Sequence, residues 1–218
     1  MDWNTRANHW ESTLAAIQQA GGDVSELTIE PAALEQDLAS IESALGVAIP
    51  SSLREVLLNH SRRVAFHWSL PDEVVDELPS EVDSIYSGQL DWSTESLVSL
   101  NKHKDDLVET FAPDPSDSFD ALWHNKFAFA SSPGGDIFAI SNTGEADQRV
   151  AYLSKSDNPG HGYFLADDFK DFLQRFSRLG CPGSEGFQWL PFAKDPDSML
   201  DPESDNAKLW RDAIGLQV

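Results

Sequence analysis

Two adjoining segments carry most of the information about the fold: LWHNKFAFASSPGGDIFAISN (122–142) and RVAYLSKSDNPGHGYFLADDFKDFLQRFSRL (149–179). Side chains alternate with period two along three short runs, at 127–130, 137–140 and 150–153. This alternation is typical of half-buried β-strands, so we expect three strands here. The sequence Pro133-Gly134-Gly135 separates the first two runs. It predicts a hairpin turn in which Gly134 or Gly135 has positive φ, because glycine accepts that conformation without steric cost.

The second segment ends in a helical pattern. Apolar residues recur there at helical spacing: Phe169, Phe172, Leu173, Phe176 and Leu179. Asp167 or Asp168 can cap the start of this helix, and Gly180 followed by Pro182 marks its end. We expect the phenylalanines of this helix to face the core.

The order of these motifs resembles that of the SUKH superfamily, whose largest branch is the SMI/KNR-like family. The resemblance is carried by a tryptophan, an apolar pair, a Gly-Gly-Asp turn and the aromatic start of the final helix: Trp123; Phe127 and Phe129; Gly134, Gly135 and Asp136; Tyr163, Leu165, Asp168 and Phe169.

A second motif lies upstream, where IESALGVAIPSSLREVLLNHS (41–61) is similar to the helix-turn-helix of that family. The matching residues are Glu42, Leu45, Gly46, Ile49, Pro50, Leu53 and Leu58. One departure is visible, because the family often has an Asn-Gly pair after the second helix and this chain has Asn59-His60-Ser61. The resemblance covers roughly residues 30 to 180.

This resemblance implies an α+β fold. We expect a single domain, 1–218, in which N-terminal helices pack on a mostly antiparallel sheet of about five or six strands. The helix at 3–20 and the tail at 194–218 would be extensions of it.

The resemblance also implies a non-enzymatic protein-binding module. Bacterial SUKH proteins are typically immunity proteins that bind and neutralise a cognate toxin, and nuclease toxins are commonly basic. An intracellular regulatory scaffold, of the kind found among the fungal cell-wall regulators of the family, is the first alternative. An unrecognised hydrolase is the second.

The remaining elements follow from local patterns. Trp3, Ala7, Trp10, Leu14 and Ile17 predict a first helix that ends at Gly21-Gly22. We expect helices from Pro31 to Gly46, from Pro50, from Ser93 to Phe111 and at 207–214. A strand is predicted at 64–70, and long loops at 71–92, 112–118 and 194–206.

Composition narrows the classes of protein. The chain has 218 residues, of which 40% are hydrophobic, enough for a substantial core. The sequence contains no run of 18 apolar residues, so we expect no membrane span. The N-terminus lacks the basic region and the apolar region of a secretory signal. The chain has one cysteine, which suits a reducing environment. We therefore expect a cytoplasmic protein.

The charge is strongly acidic and unevenly spread. The formal net charge is −22, and residues 70 to 120 hold 14 acids against the two bases Lys102 and Lys104. Nucleic-acid binding is disfavoured, because a phosphate backbone needs a basic face. An acidic surface can instead steer a basic protein, such as a basic toxin domain, toward its binding site. Solubility alone is the alternative explanation of the charge.

Six acids of this region are the first candidates for partner binding: Asp72, Glu73, Asp76, Glu77, Glu81 and Asp83. They lie in a stretch marked by proline and glycine, which favours a surface loop.

No pattern predicts a cofactor, a metal or a catalytic residue. The six histidines lack the spacing of a zinc pair, and Cys181 lies after a helix end, a poor position for a reactive thiol. Asp201, Glu203, Asp205 and Asp212 match part of a calcium loop, but Asn206 stands where the turn glycine belongs. Gly134-Gly135-Asp136 is not a P-loop, since no Gly-Lys-Ser/Thr follows.

Overall fold

The computed structural model describes residues 2–144, 147–155 and 159–217. The helices are α1 (Trp3–Gln19), α2 (Glu35–Leu45), α3 (Ser51–Asn59), α4 (Asp72–Val75), α5 (Thr94–Phe111), α6 (Phe169–Arg178), α7 (Gly186–Trp189) and α8 (Asp205–Ile214). The strands are β1 (Asp23–Val24), β2 (Thr28–Ile29), β3 (Arg63–Ser69), β4 (Ser87–Ser93), β5 (Lys126–Ser131), β6 (Ile137–Ser141), β7 (Val150–Leu153) and β8 (Phe164–Ala166). Short 3₁₀ turns cover Asp120–Trp123 and Leu190–Phe192.

The α+β class predicted from the sequence is confirmed. Within the described residues the strands form two antiparallel sheets of four, where the sequence suggested one sheet of about five or six strands. In the first sheet β3 is central, with β1 and β2 along one edge and β4 along the other. The second sheet is the meander β5-β6-β7-β8. The strands β1, β2 and β8 have two or three residues each, too few to show an alternation.

The predicted long loop at 71–92 was wrong in part, because it contains α4 and most of β4. The two sides of β4 differ: Leu90 and Trp92 are buried, whereas Asp91 is exposed. This alternation is the pattern of a half-buried strand, but the acidic composition of the surrounding sequence is typical of a surface loop. A second correction concerns α2, which begins at Glu35 rather than at Pro31.

The second sheet is buried on both faces, so the prediction of half-buried strands was wrong for β6 and β7. One face of this sheet joins the main core through residues such as Phe138 and Ile140. The other face forms a smaller core in which Ile137 and Ala139 pack with Leu107 of α5. Both faces are covered, and every position of β6 and β7 is apolar or small except Tyr152, whose hydroxyl is hydrogen-bonded.

The outer edge of β5 is closed by two side chains of α5. The buried amide of Asn101 donates to the carbonyl oxygen of Ala128 and accepts from its N–H, both at 2.9 Å. The Lys104 ammonium donates to the carbonyl oxygen of Lys126 at 2.9 Å. An unpaired strand edge is a template for association with other chains, and these contacts satisfy part of it from within the chain.

The helix α6 faces the core as predicted. Asp168 caps it, with its carboxylate accepting from the N–H of Asp171 at 2.8 Å. The rings of Phe169 and Phe172 lie 5.0 and 5.4 Å from that of Phe129, at edge-to-face angles. The hairpin turn is also confirmed, because Gly135 has a φ of 89°.

Three tryptophans meet at the C-terminal end of α6. The indole N–H groups of Trp210 and Trp68 donate to the carbonyl oxygens of Leu179 and Gly180, at 2.9 and 3.0 Å. The indole of Trp10 donates to the Ser177 hydroxyl at 2.8 Å. These bonds join α1, β3 and α8 to one helix end. The domain extent of 1–218 stays a prediction, and Met1 and Val218 lie outside the described residues.

We predict that Phe172→Ala lowers the free energy of unfolding by about 3–5 kcal/mol, because a fully buried phenylalanine leaves a cavity when truncated. Phe172 is 2% exposed and Phe111 is 55% exposed, so Phe111→Ala is the matched control and should cost little. Urea unfolding of the three proteins measures the difference. A loss below about 1 kcal/mol for Phe172→Ala would mean that this face of α6 does not hold the core together.

Candidate partner-binding surface

The chain between β3 and β4, residues 70–86, is anchored to the fold by a few buried residues. Val82 and Ile85 are fully buried and belong to the main core. The N–H of Leu70 donates to the carbonyl oxygen of Tyr86 at 2.8 Å, which closes the connection at its base. Pro71 begins α4, and turns at 79–82 and 82–85 complete the path. We call residues 70–86 the β3–β4 connection.

All six acids predicted to bind a partner lie on this connection and are exposed: Asp72, Glu73, Asp76, Glu77, Glu81 and Asp83. No ion pair joins any of them to a base within the part of the chain that the structure describes. Their one side-chain hydrogen bond is from the Ser80 hydroxyl to Glu81, at 3.0 Å. The connection therefore presents uncompensated negative charge to solvent.

The other acids of 70–120 have different surroundings, so the acidic region is not one surface. Asp114 and Asp117 accept hydrogen bonds from N–H groups two residues later, at 2.9 and 2.8 Å, and so form local turns. Asp105 pairs with Lys104 at 2.6 Å. The β3–β4 connection, by contrast, carries six exposed carboxylates within residues 72–83 and no ion pair among the described residues.

A polar groove of about 810 Å³ lies beside the first sheet. Its walls come from β3, β4, the first half of α5 and the β5–β6 hairpin. Its lining includes the acids Asp91 and Glu95 and the basic side chains of Arg63 and His103. The pKa of Asp91 is raised because the groove walls displace water from its carboxylate, and the charge of Arg63 offsets part of that effect.

Two exposed aromatic rings also border the connection, and no sequence pattern indicated them. Tyr86 ends the connection and Phe187 belongs to α7, yet their ring centroids are 6.1 Å apart and their ring planes are inclined by 30°. They are 44% and 46% exposed. The two residues are 101 positions apart in the chain, so no local periodicity could bring them together.

The motif residues of the final hairpin build the fold. The hydroxyl of Tyr152 donates to the buried Asp136 carboxylate at 2.5 Å and accepts from the N–H of Gly186 at 2.9 Å. Gly134 donates to Glu185 at 2.8 Å. Burial raises the pKa of Tyr152, and its bond to Asp136 adds to the effect. This buried network links the hairpin turn, β7 and the start of α7.

The other motif residues are structural too. Gly46 ends α2 with a φ of 68°, and Pro50 begins α3. Leu45 packs against the main core, while Phe169 and Trp123 are buried in the main and the smaller core. These positions lie apart from the exposed acids.

The candidates for other chemistry do not assemble into a site. Cys181 is fully buried, and burial raises the pKa of its thiol. In the tail, Ser204 caps α8, and Glu203 pairs with Arg178. Among the residues with described placement, no group of three His, Cys, Asp or Glu is arranged to hold a metal ion.

The comparison with protein families matched the SMI1 / KNR4 family (SUKH-1) over residues 32–175. The chain belongs to this family. The match covers α2 through most of α6, including the whole β3–β4 connection. The aromatic partner Phe187, the helix α1 and the helix α8 lie outside it.

Membership in SUKH-1 supports a non-catalytic immunity or regulatory module in general. A search of the curated proteins found no match for this chain. Of the helices within the described ranges, none is both long and apolar enough to cross a membrane.

We predict that Tyr152→Phe destabilises the fold by roughly 1–3 kcal/mol, because the buried Asp136 carboxylate loses its hydroxyl donor. Tyr163→Phe removes a hydroxyl from a half-buried ring nearby and serves as the control, with an expected change within about 0.5 kcal/mol. Chemical denaturation of both variants gives the comparison. Equal stability of the two variants would contradict a role for the buried network in holding the hairpin.

Proposed function

We propose that this SUKH-1 protein is an immunity protein that binds a basic toxin domain in the cytoplasm and neutralises it without catalysis. The observation that carries the proposal is the β3–β4 connection, with its six exposed carboxylates free of ion pairs. Elsewhere in this protein, acids such as Glu30 and Asp171 are paired with arginines. The connection thus concentrates unpaired negative charge in one short exposed segment.

The β3–β4 connection is anchored by buried apolar residues and not by its acids, which favours a role of the acids in partner recognition. Val82 and Ile85 fix the backbone from below, so the carboxylates contribute no packing. Exposed charges of this kind add little to folding stability. The exposed residues at these positions can therefore change to match a partner with little loss of folding stability.

The mechanism would be occlusion. A toxin that acts on nucleic acid needs a basic cleft for the phosphate backbone, and an acidic surface that covers the cleft excludes the substrate. Long-range attraction between the two surfaces accelerates their encounter, by a factor of about 10 to 1,000 at low ionic strength. Salt screens this attraction over about 10 Å at 0.1 M.

The experiment tests the product of the gene beside that of this chain as the toxin partner, in association kinetics. Glu73→Lys, Asp76→Lys and Glu77→Lys are combined in one variant, because the structure gives their side chains no hydrogen bond that folding would lose. We predict that the association rate at low salt falls at least tenfold relative to the native protein. The association rate of the native protein should itself fall as salt is added.

The matched control reverses three exposed acids on other elements, with Glu11→Lys, Asp197→Lys and Asp212→Lys. Both variants change the net charge by the same amount, so a difference between them reports position rather than total charge. Melting temperatures of both should stay near that of the native protein. Equal association rates for the native protein and the first variant at low salt would refute the proposed surface. Several weak partners in place of one tight toxin would favour the regulatory scaffold.

A further inference from the structure

The stacked pair of Tyr86 and Phe187 differs from the other exposed apolar residues. Single exposed apolar side chains are normal on protein surfaces and need no explanation. Among the ring contacts of the described residues, this pair is the one in which both residues are exposed. Two adjacent aromatic rings at a surface are the kind of anchor that dominates protein interfaces.

The pair is held in place by polar bonds behind it. Gln188 is 2% exposed, and its side-chain amide oxygen Oε1 accepts from both the N–H and the hydroxyl of Ser87 at 3.2 Å. The Ser84 hydroxyl donates to the carbonyl oxygen of Phe187 at 3.1 Å. Trp189, on the same short helix, points into the core and is fully buried. The rings are thus fixed before a partner arrives, which lowers the entropy cost of binding.

The chain segments that supply the two rings are acidic, which favours binding of a cationic side chain. The two chain segments that supply the rings, 64–101 and 179–193, contain nine acids and no lysine or arginine. Glu81 and Asp83 precede Tyr86 on the same connection and are exposed. A cation above an aromatic face is attracted by the ring quadrupole, and nearby carboxylates add to that attraction.

We propose that the Tyr86–Phe187 pair is the docking point for an arginine side chain of the protein partner. This inference rests on the proposed function for the basic character of that partner. The planar guanidinium stacks on the exposed ring faces while its N–H groups turn toward the carboxylates of the connection. A lysine ammonium is a compact, strongly hydrated charge and cannot stack in this way. The acids therefore provide attraction to any cation, and the rings provide the preference for arginine.

The test needs no toxin. Two capped peptides of equal charge, (Gly-Arg)₄ and (Gly-Lys)₄, are titrated into the isotopically labelled protein, and backbone NMR shifts report the position and the affinity of binding. We predict that the arginine peptide binds at least about threefold more tightly, since each exposed cation–π contact is worth about two- to fivefold in affinity. The largest shifts should fall on residues around Tyr86 and Phe187. Equal affinities, shifts located elsewhere or no binding at all would overturn the proposal.

Variants separate the rings from the charge. In Tyr86→Leu with Phe187→Leu, apolar side chains remain but the π faces are lost, so the arginine preference should disappear while lysine-peptide binding persists. Phe111→Leu, at an exposed aromatic residue of α5, is the control and should keep the preference. The triple lysine variant of Glu73, Asp76 and Glu77 should weaken both peptides alike. Persistence of the arginine preference in the double leucine variant would refute the role of the rings.

The two proposals fail in different ways. If the toxin domain does not depend on the acids of the connection, the proposed function is wrong, whatever the peptides do. If the peptides show no arginine preference while toxin binding depends on the acids, the ring pair is not the anchor and the proposed function stands.

Discussion

The turn that follows α6 lies inside the protein, and the carbonyl groups of Leu179 and Gly180 must find donors there. The last carbonyl groups of α6 are met mainly by the N–H groups of residues 179–181, but a buried carbonyl group left unpaired in the turn would cost free energy. The indole N–H groups of Trp210 and Trp68 donate to Leu179 and Gly180, and that of Trp10 donates to the Ser177 hydroxyl in the last turn of α6. The first helix, the central strand β3 and the last helix are thereby tied to one point. Two of these elements, α1 and α8, lie outside the segment that matches the family.

Folding and recognition are separated within the β3–β4 connection. Its two fully buried side chains, Val82 and Ile85, are apolar and belong to the core, whereas its acids are exposed and make no ion pair with any described residue. The outer edge of β5 is also protected from association, because Asn101 satisfies backbone groups that could otherwise pair with a strand of another protein. Partner binding is thus directed to the β3–β4 connection, where side chains and not backbone strand pairing determine which partner fits.

Local patterns predicted the parts of the fold whose signals are local. The period of three to four in α6 and the glycine turn before β6 needed no distant information, and both are confirmed. The strand β4 was missed because Asp91 on its exposed side and the acids of the preceding connection concealed the alternation of Leu90 and Trp92. The exposure of the six acids followed from composition, since unpaired carboxylates are seldom buried. The aromatic pair could not be predicted, because Tyr86 and Phe187 meet only through the packing of α7 beside the first sheet.

The burial of Cys181 has a practical consequence. It is the one cysteine of the chain, and it adjoins Gly180, whose carbonyl oxygen receives the indole of Trp68. A maleimide can reach this sulfur only when the end of α6 opens, so its rate of alkylation reports the opening of that end. A cysteine introduced at the surface would react much faster than Cys181. A fluorophore could therefore be attached there selectively, without removing the native thiol.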